Sequence, residues 1–180
     1  MEKAKLVRRH LTEKGQLVMP GVFDALSAKI ASRAGFEVIF ITGYSLSATL
    51  LGEPDFGLLT QTEVVSAAER ICSVTDTPVI VDADTGYGNA INVIRTVQDL
   101  SRAGAAGMFL EDQVWPKRCG HMKGKQVISL DEQLKKLRAA LEARNDHDFY
   151  IVARTDARQA LGLTEAIARG IAFKEAGAIM

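Results

Sequence analysis

The sequence predicts an α/β fold of parallel strands joined by outer helices, and two observations carry that prediction. Short β-branched or apolar runs recur at Leu17 to Met19, Val38 to Thr42, Val79 to Val81, Met108 to Leu110 and Phe149 to Val152, with another beginning at Ala178. Each has the length and composition of a buried strand. Three of the intervening stretches end alike, in Arg33-Ala34-Gly35-Phe36, Arg102-Ala103-Gly104-Ala105 and Glu175-Ala176-Gly177-Ala178. Glycine there can take the left-handed conformation that stops a helix before the next strand. Helix, glycine stop and buried strand in repetition give parallel strands, in a barrel or a doubly wound sheet. The repeat alone does not decide closure.

The helices have their own signals. Thr60 with Glu63, and Ser129 with Glu132, have the spacing of a capping box, in which side-chain oxygens satisfy otherwise unpaired amides. Val64, Val65, Ala68 and Ile71 form one apolar helical face, and Leu134, Leu137 and Leu141 another. Lys3, Lys5, Arg8 and Arg9 alternate with Leu6, Val7 and Leu11, as in a short amphipathic helix with a wet face. The segment from Gly43 to Leu59 exceeds the usual few-residue connection and is expected to carry a short extra element or a function. Residues 1–180 form one domain with no linker. A closed barrel takes about 250 residues, so about six strands are expected here, with the C-terminal part of the barrel absent.

Composition narrows the class of protein. Lys plus Arg and Asp plus Glu both number 22, so no general attraction to nucleic acid or anionic lipid is expected. The N-terminus is charged from Glu2 to His10, and no apolar run approaches the roughly 20 residues of a membrane span. A cytoplasmic location is expected. Two cysteines are too few for a disulfide framework, and Cys72, following Ile71 on a packed helix face, reads as a core residue.

Chemistry concentrates at the carboxyl ends of the strands. Val79-Ile80-Val81 runs into Asp82-Ala83-Asp84-Thr85-Gly86-Tyr87-Gly88, where a two-residue strand period brings Asp82 and Asp84 to one side. Clustered carboxylates are costly when ionised, and a hard divalent cation can neutralise them while keeping waters. Met108-Phe109-Leu110 leads to Glu111-Asp112-Gln113 at the same face of the sheet, so Glu111 can join the cluster while Asp112 is expected to point away, either to pair with a loop amide or a base or to take part in the chemistry. Tyr150-Ile151-Val152-Ala153 ends in Arg154, whose planar fork suits a substrate carboxylate or phosphate, or an ion pair with one of the acids. Cys119 lies in the basic, glycine-containing loop Lys117-Arg118-Cys119-Gly120-His121, whose cations can lower its thiol pKa. That loop can equally be a flexible surface element. Asp55 can hold a metal-bound water or organise its own loop, and Trp115 can cover the site or anchor a loop. The glycines after Asp84 do not complete a nucleotide-binding fingerprint, and no serine-centred triad is present.

These motifs, with Pro54-Asp55 and Arg154-Thr155-Asp156, resemble the isocitrate lyase and phosphoenolpyruvate mutase superfamily over nearly the whole chain. The Lys-Arg-Cys-Gly-His form of the loop is similar to the lyase branch, near methylisocitrate lyase and 2,3-dimethylmalate lyase. The resemblance implies a TIM-type (β/α)8 barrel, a homotetramer with a helix exchanged between subunits, and a lid carrying Cys119. It implies Mg2+, with Mn2+ as a substitute, held directly by Asp82 and through waters by Asp55, Asp84 and Glu111. It places Gly43, Tyr44, Ser45, Asp82, Lys117, Gly120, His121 and Arg154 around a small carboxylic acid, with Cys119 as the general acid and Tyr44 as the candidate base. The expected reaction is magnesium-dependent retro-aldol cleavage of a 2-methylisocitrate- or 2,3-dimethylmalate-like 2-hydroxy acid to pyruvate and a second acid. The rivals are an oxaloacetate hydrolase, a phosphonomutase, and a noncatalytic acid-binding or assembly protein.

Overall fold

A computed structural model describes residues 2–144 and 148–179. Five strands, β1 (Gly21–Val22), β2 (Ile39–Ile41), β3 (Val79–Asp82), β4 (Gly107–Glu111) and β5 (Tyr150–Arg154), pair in parallel in chain order. A doubly wound sheet reverses its strand order at a switch point. No reversal occurs among these strands, so the order is that of a barrel wall. The sixth apolar run begins as the sequence indicates, with Ile179 bridging Val152 in parallel. The first run does not. Leu17 to Met19 lie outside the sheet, and pairing starts where the Phe40 amide donates to the Pro20 carbonyl. Proline has no N–H to give, so the ladder cannot extend back through it.

Among the described residues eight helices flank the strands: α1 (Glu2–Lys14), α2 (Ala25–Arg33), α3 (Gly43–Leu50), α4 (Gln61–Cys72), α5 (Ala90–Arg102), α6 (Leu130–Ala143), α7 (Ala157–Leu161) and α8 (Leu163–Glu175). The Thr60–Glu63 capping box forms in full, a contact of the kind that contributes about 1 kcal/mol. At α6 only half of one forms, with the Glu132 amide donating to Ser129 Oγ. Gly35, Gly104 and Gly177 all have positive φ at the ends of α2, α5 and α8, as their shared sequence pattern requires. The extra element in the long segment after β2 is α3.

Strand alternation splits the apolar residues between two cores. Ile39, Ile41, Val79, Val81, Met108, Leu110 and Ile151 pack beneath the outer helices. Phe40, Ile80, Phe109, Tyr150 and Val152 face the other way, where they meet Ala4, Val7 and Leu11 of α1. On that inner face the rings of Phe40 and Phe109 meet edge to face, with centroids 5.0 Å apart. Helix α1 therefore closes the amino end of the barrel wall. Its Lys3 donates to the Thr75 carbonyl, and its Arg8 lies over the Tyr150 ring. The basic residues of α1 thus tie the helix to the strand entries as well as facing water. Continuing each inner-facing row toward the carboxyl end places Asp82, Glu111 and Arg154 on the same face.

Strand packing also explains Gly107, where an added Cβ would lie 2.5 Å from the Tyr150 carbonyl oxygen. Gly107→Ala is expected to destabilise the fold by roughly 3 kcal/mol through overpacking between β4 and β5. Gly35→Ala, at a position with φ +86° and open space around it, should cost only about 1 kcal/mol of backbone strain. Urea denaturation of the two variants tests this ranking.

Candidate active site

Four acids meet at the carboxyl ends of β2 to β4. Asp82 closes β3, and Glu111 closes β4. Asp84 reaches the cluster by a different route from the strand alternation expected for it: β3 ends at Asp82, and Asp84 turns back with φ +49°. Its amide donates to Asp82 Oδ1 at 3.2 Å. Asp55 arrives from the loop after α3. Gly43 begins α3 beside them, its amide donating to Asp82 Oδ2 at 3.4 Å. A Cβ there would stand 3.3 Å from Asp82 Oδ2 and 3.4 Å from Asp84 Oδ1, so the absence of a side chain lets the helix start close to the acids.

Lys117 has a different place from the one expected. It is 4% exposed, and its ammonium lies 2.5 Å from Asp55 Oδ2 and 2.7 Å from Asp84 Oδ1, turned into the acid cluster. Burial by itself would push its pKa down. Asp84, Asp82 and Asp55 outweigh that effect and hold it above the ordinary lysine range. One ammonium shared between two carboxylates does not neutralise the cluster. Burial, reinforced by Asp82, pushes Asp84 up to about 7 in spite of Lys117. Burial likewise pushes Glu111 up to about 8, against the opposing charge of Arg154.

A cavity of about 470 Å3 opens beside the cluster. Asp55, Asp82, Cys119, Gly120, His121 and Arg154 line it, and Tyr44 and Thr42 complete its polar lining. The guanidinium of Arg154 is 3.5 Å from Glu111 Oε2 and 3.2 Å from Asp156 Oδ2, so both the ion-pair role and access to the cavity hold. Gly120 admits it: an added Cβ would meet Arg154 Nη2 at 2.7 Å. Ser45 is half-buried in the first turn of α3 and does not line the cavity. The amides of Tyr44 and Ser45 have no backbone partner among the described residues, as is usual at a helix start, and such amides suit an anion.

Cys119 is 8% exposed, in a docked loop and not in a free surface one. Cys72 is a core residue, its thiol pushed up to about 11 by burial. Trp115 lies away from the cavity, packed edge to face on Tyr87 and against Gly57 as a loop anchor. Asp112 points away from Glu111 as strand geometry requires, and accepts from Arg169, Thr155 Oγ1 and the Asp156 amide. Sequence reasoning missed the apolar lining, Met19, Phe40 and Phe109. The alternation of Phe40 against Ile39 and Ile41 was the available signal.

Whether these residues suit a divalent cation can be judged from their charge and bonding. The donors are carboxylate oxygens, the kind that hard cations take. Four carboxylates face only two cations, Lys117 and Arg154. Glu111 Oε1 is buried without a hydrogen-bond partner among the described residues. The charge balance and donor type fit. Among the described residues no three such side chains converge in ligating geometry, because Asp55 and Asp84 turn toward Lys117.

A wall of parallel strands in chain order, with acids, a guanidinium and a thiol around one cavity at its carboxyl end, has the architecture of an α/β-barrel protein. The sequence profile of the phosphoenolpyruvate phosphomutase family matches residues 7–180, and the chain belongs to that family, within the isocitrate lyase and phosphoenolpyruvate mutase superfamily. It is 51% identical to 2,3-dimethylmalate lyase of Eubacterium barkeri over 178 residues, covering 99% of this chain and 62% of that protein. It is 55% identical to the chloroplastic carboxyvinyl-carboxyphosphonate phosphorylmutase of Arabidopsis thaliana, covering 94% of this chain and 51% of that one. A crystal structure of 2,3-dimethylmalate lyase superposes with a TM-score of 0.92 at 42% identity, covering 98% of this chain and 60% of that one. A phosphonopyruvate hydrolase solved with oxalate and Mg++ superposes at 0.89 with 36% identity, covering 99% and 61%. The chain thus spans about half to three fifths of the length of these relatives. No helix among the described residues is long and apolar enough to cross a membrane.

Lys117→Met would leave Asp55 and Asp84 buried without their shared cation. It is expected to cost about 3 kcal/mol of stability in chelator-treated protein, read from denaturant midpoints.

Proposed function

We propose that the protein cleaves a 2-hydroxy carboxylic acid of the 2-methylisocitrate or 2,3-dimethylmalate type to pyruvate and a second carboxylic acid. The observation that carries this reading is the placement of Cys119 and Arg154 on the same cavity as Asp82, with the start of α3 beside it. Arg154 and the first-turn amides of α3 bind and orient the substrate carboxylates. Tyr44 is the candidate to take the proton from the substrate alcohol. As the carbon–carbon bond breaks, its electron pair passes to the departing acid, and the alcohol carbon becomes the ketone of pyruvate. The Cys119 thiol then delivers its proton to that carbanion-like carbon, and the docked loop keeps water from competing.

Asp82, with Asp55, Asp84 and Glu111 acting through water, is the set that would hold Mg2+ or Mn2+. When bound, the ion supplies positive charge to the substrate oxygens on which negative charge develops. A cytoplasmic location, expected from composition, and a helix-exchanged homotetramer, implied by the family resemblance, belong to the same reading.

Cys119→Ser keeps the approximate size and a donor while raising the pKa of proton transfer. In the whole enzyme with magnesium present, turnover should fall roughly 100-fold, while the affinity of a nonreactive substrate analogue stays near that of the wild type. Coupled detection of pyruvate from a panel of 2-hydroxy and 2-oxo diacids supplies the turnover assay. Oxalate and acetate from oxaloacetate, or a rearranged phosphonate, would replace the lyase reading with one of its rivals.

Anomalous scattering from crystals soaked in manganese should place the ion beside Asp82, and Asp82→Ala should abolish that peak. A peak elsewhere, or unchanged metal affinity in the variant, would reject the assignment.

A further inference from the structure

The loop that carries Cys119 is closed at its base. Gln113 bridges Val127 in antiparallel fashion, and the Val114 amide donates to the Gln126 carbonyl. Beyond that staple, the two residues flanking Cys119 are each held at the backbone by a side chain. Gln113 grips Arg118 twice, accepting from its amide and donating to its carbonyl, both at 3.0 Å. Lys125 donates to the Gly120 carbonyl at 2.8 Å.

Both holding side chains converge on one carboxylate. Lys125 Nζ lies 2.7 Å from Asp156 Oδ1, with the two side chains each 7% exposed, and Gln113 Nε2 donates to Asp156 Oδ2 at 3.1 Å. Asp156 is itself fixed from below, since its amide donates to Asp112 Oδ1 and Asp112 is tied to Arg169 of α8. Burial would raise the Asp156 carboxyl, but Lys125 and Arg154 hold it below the ordinary range and therefore charged.

We propose that Asp156 is a positioning residue for Cys119: through Lys125 and Gln113 its carboxylate latches the residues on either side of the thiol, Gly120 and Arg118, and holds the loop shut over the cavity. The proton-donor role of Cys119 rests on the function proposed above, whereas the latch is defined by the accessibility of the thiol alone. Removing Asp156 leaves the Lys125 ammonium buried without its carboxylate, and opening the loop is the cheapest way to return that charge to water; removing Lys125 leaves Asp156 paired with Arg154 but frees the Gly120 carbonyl that Lys125 held.

The test is the rate at which iodoacetamide alkylates Cys119, followed by peptide mass spectrometry on the full chain. Cys72, also buried, serves as the internal reference. In Asp156→Asn and in Lys125→Met the Cys119 rate should rise about tenfold or more, as expected from losing one charged hydrogen bond, with Cys72 unchanged. Lys125→Met is the cleaner variant. It removes the Asp156 pair and the Gly120 contact together, so acceleration reports opening. It also decides the matter if Asp156→Asn does not fold. The double variant should gain nothing beyond the larger single effect. An unchanged Cys119 rate in Lys125→Met, a parallel rise at both cysteines, or additive single effects would each overturn the latch. The readout needs no substrate, so its failure is distinguishable from failure of the lyase reading.

Discussion

Negative charge in excess of its local compensation, gathered at the carboxyl end of a parallel sheet, organises the rest of the site. Asp82, Asp84 and Glu111 are carried there by two neighbouring strands and the turn after one of them, and Asp55 joins from a loop. Buried carboxylates at such separation raise one another's pKa and demand a counter-charge. The protein answers from two directions. Arg154 comes from the next strand in the wall, in register with Glu111. Lys117 comes from the loop after β4 and places its ammonium between Asp55 and Asp84.

Because Lys117 sits only two positions before Cys119, neutralising the acids also draws the thiol toward the cavity. The loop is consequently held at three kinds of contact: the ion pairs of Lys117 at the cluster, the clasp of Gln113 on Arg118, and the Asp156–Lys125 pair beyond Gly120. The last two contacts return to Asp156, which hangs from Asp112 and so from Arg169. A helix on the outside of the wall is thereby linked to the Cys119 loop at its mouth through buried, hydrogen-bonded charges. Each such pair contributes little by itself and is costly to break singly.

Much of this was legible in one dimension, because some signals are local. A glycine that must take positive φ, a threonine three residues before a glutamate, and an apolar run of strand length each act within a few residues. The carboxylates at strand ends were legible for the same reason: a parallel α/β repeat exposes the ends of all its strands on one face, so Asp82, Glu111 and Arg154 could be placed together without contact information. The failures have physical causes too. Pro20 displaced the first strand by withholding a donor, and the turn after Asp82 replaced the alternation that strand geometry would give Asp84.

The sequence by itself determined the repeat, the polarity of the strands, the core character of Cys72 and the set of charged groups at the mouth of the barrel. Only the tertiary structure decided which charge meets which. Lys117 could have faced substrate, Arg154 could have faced only the cavity, and Asp156 carried no sign of being the common partner of Lys125 and Gln113. Those pairings join residues 31 to 62 positions apart. Spacing along a chain restricts the geometry of near neighbours, whereas the partner of a buried charge is selected by where the remaining strands and loops leave it room.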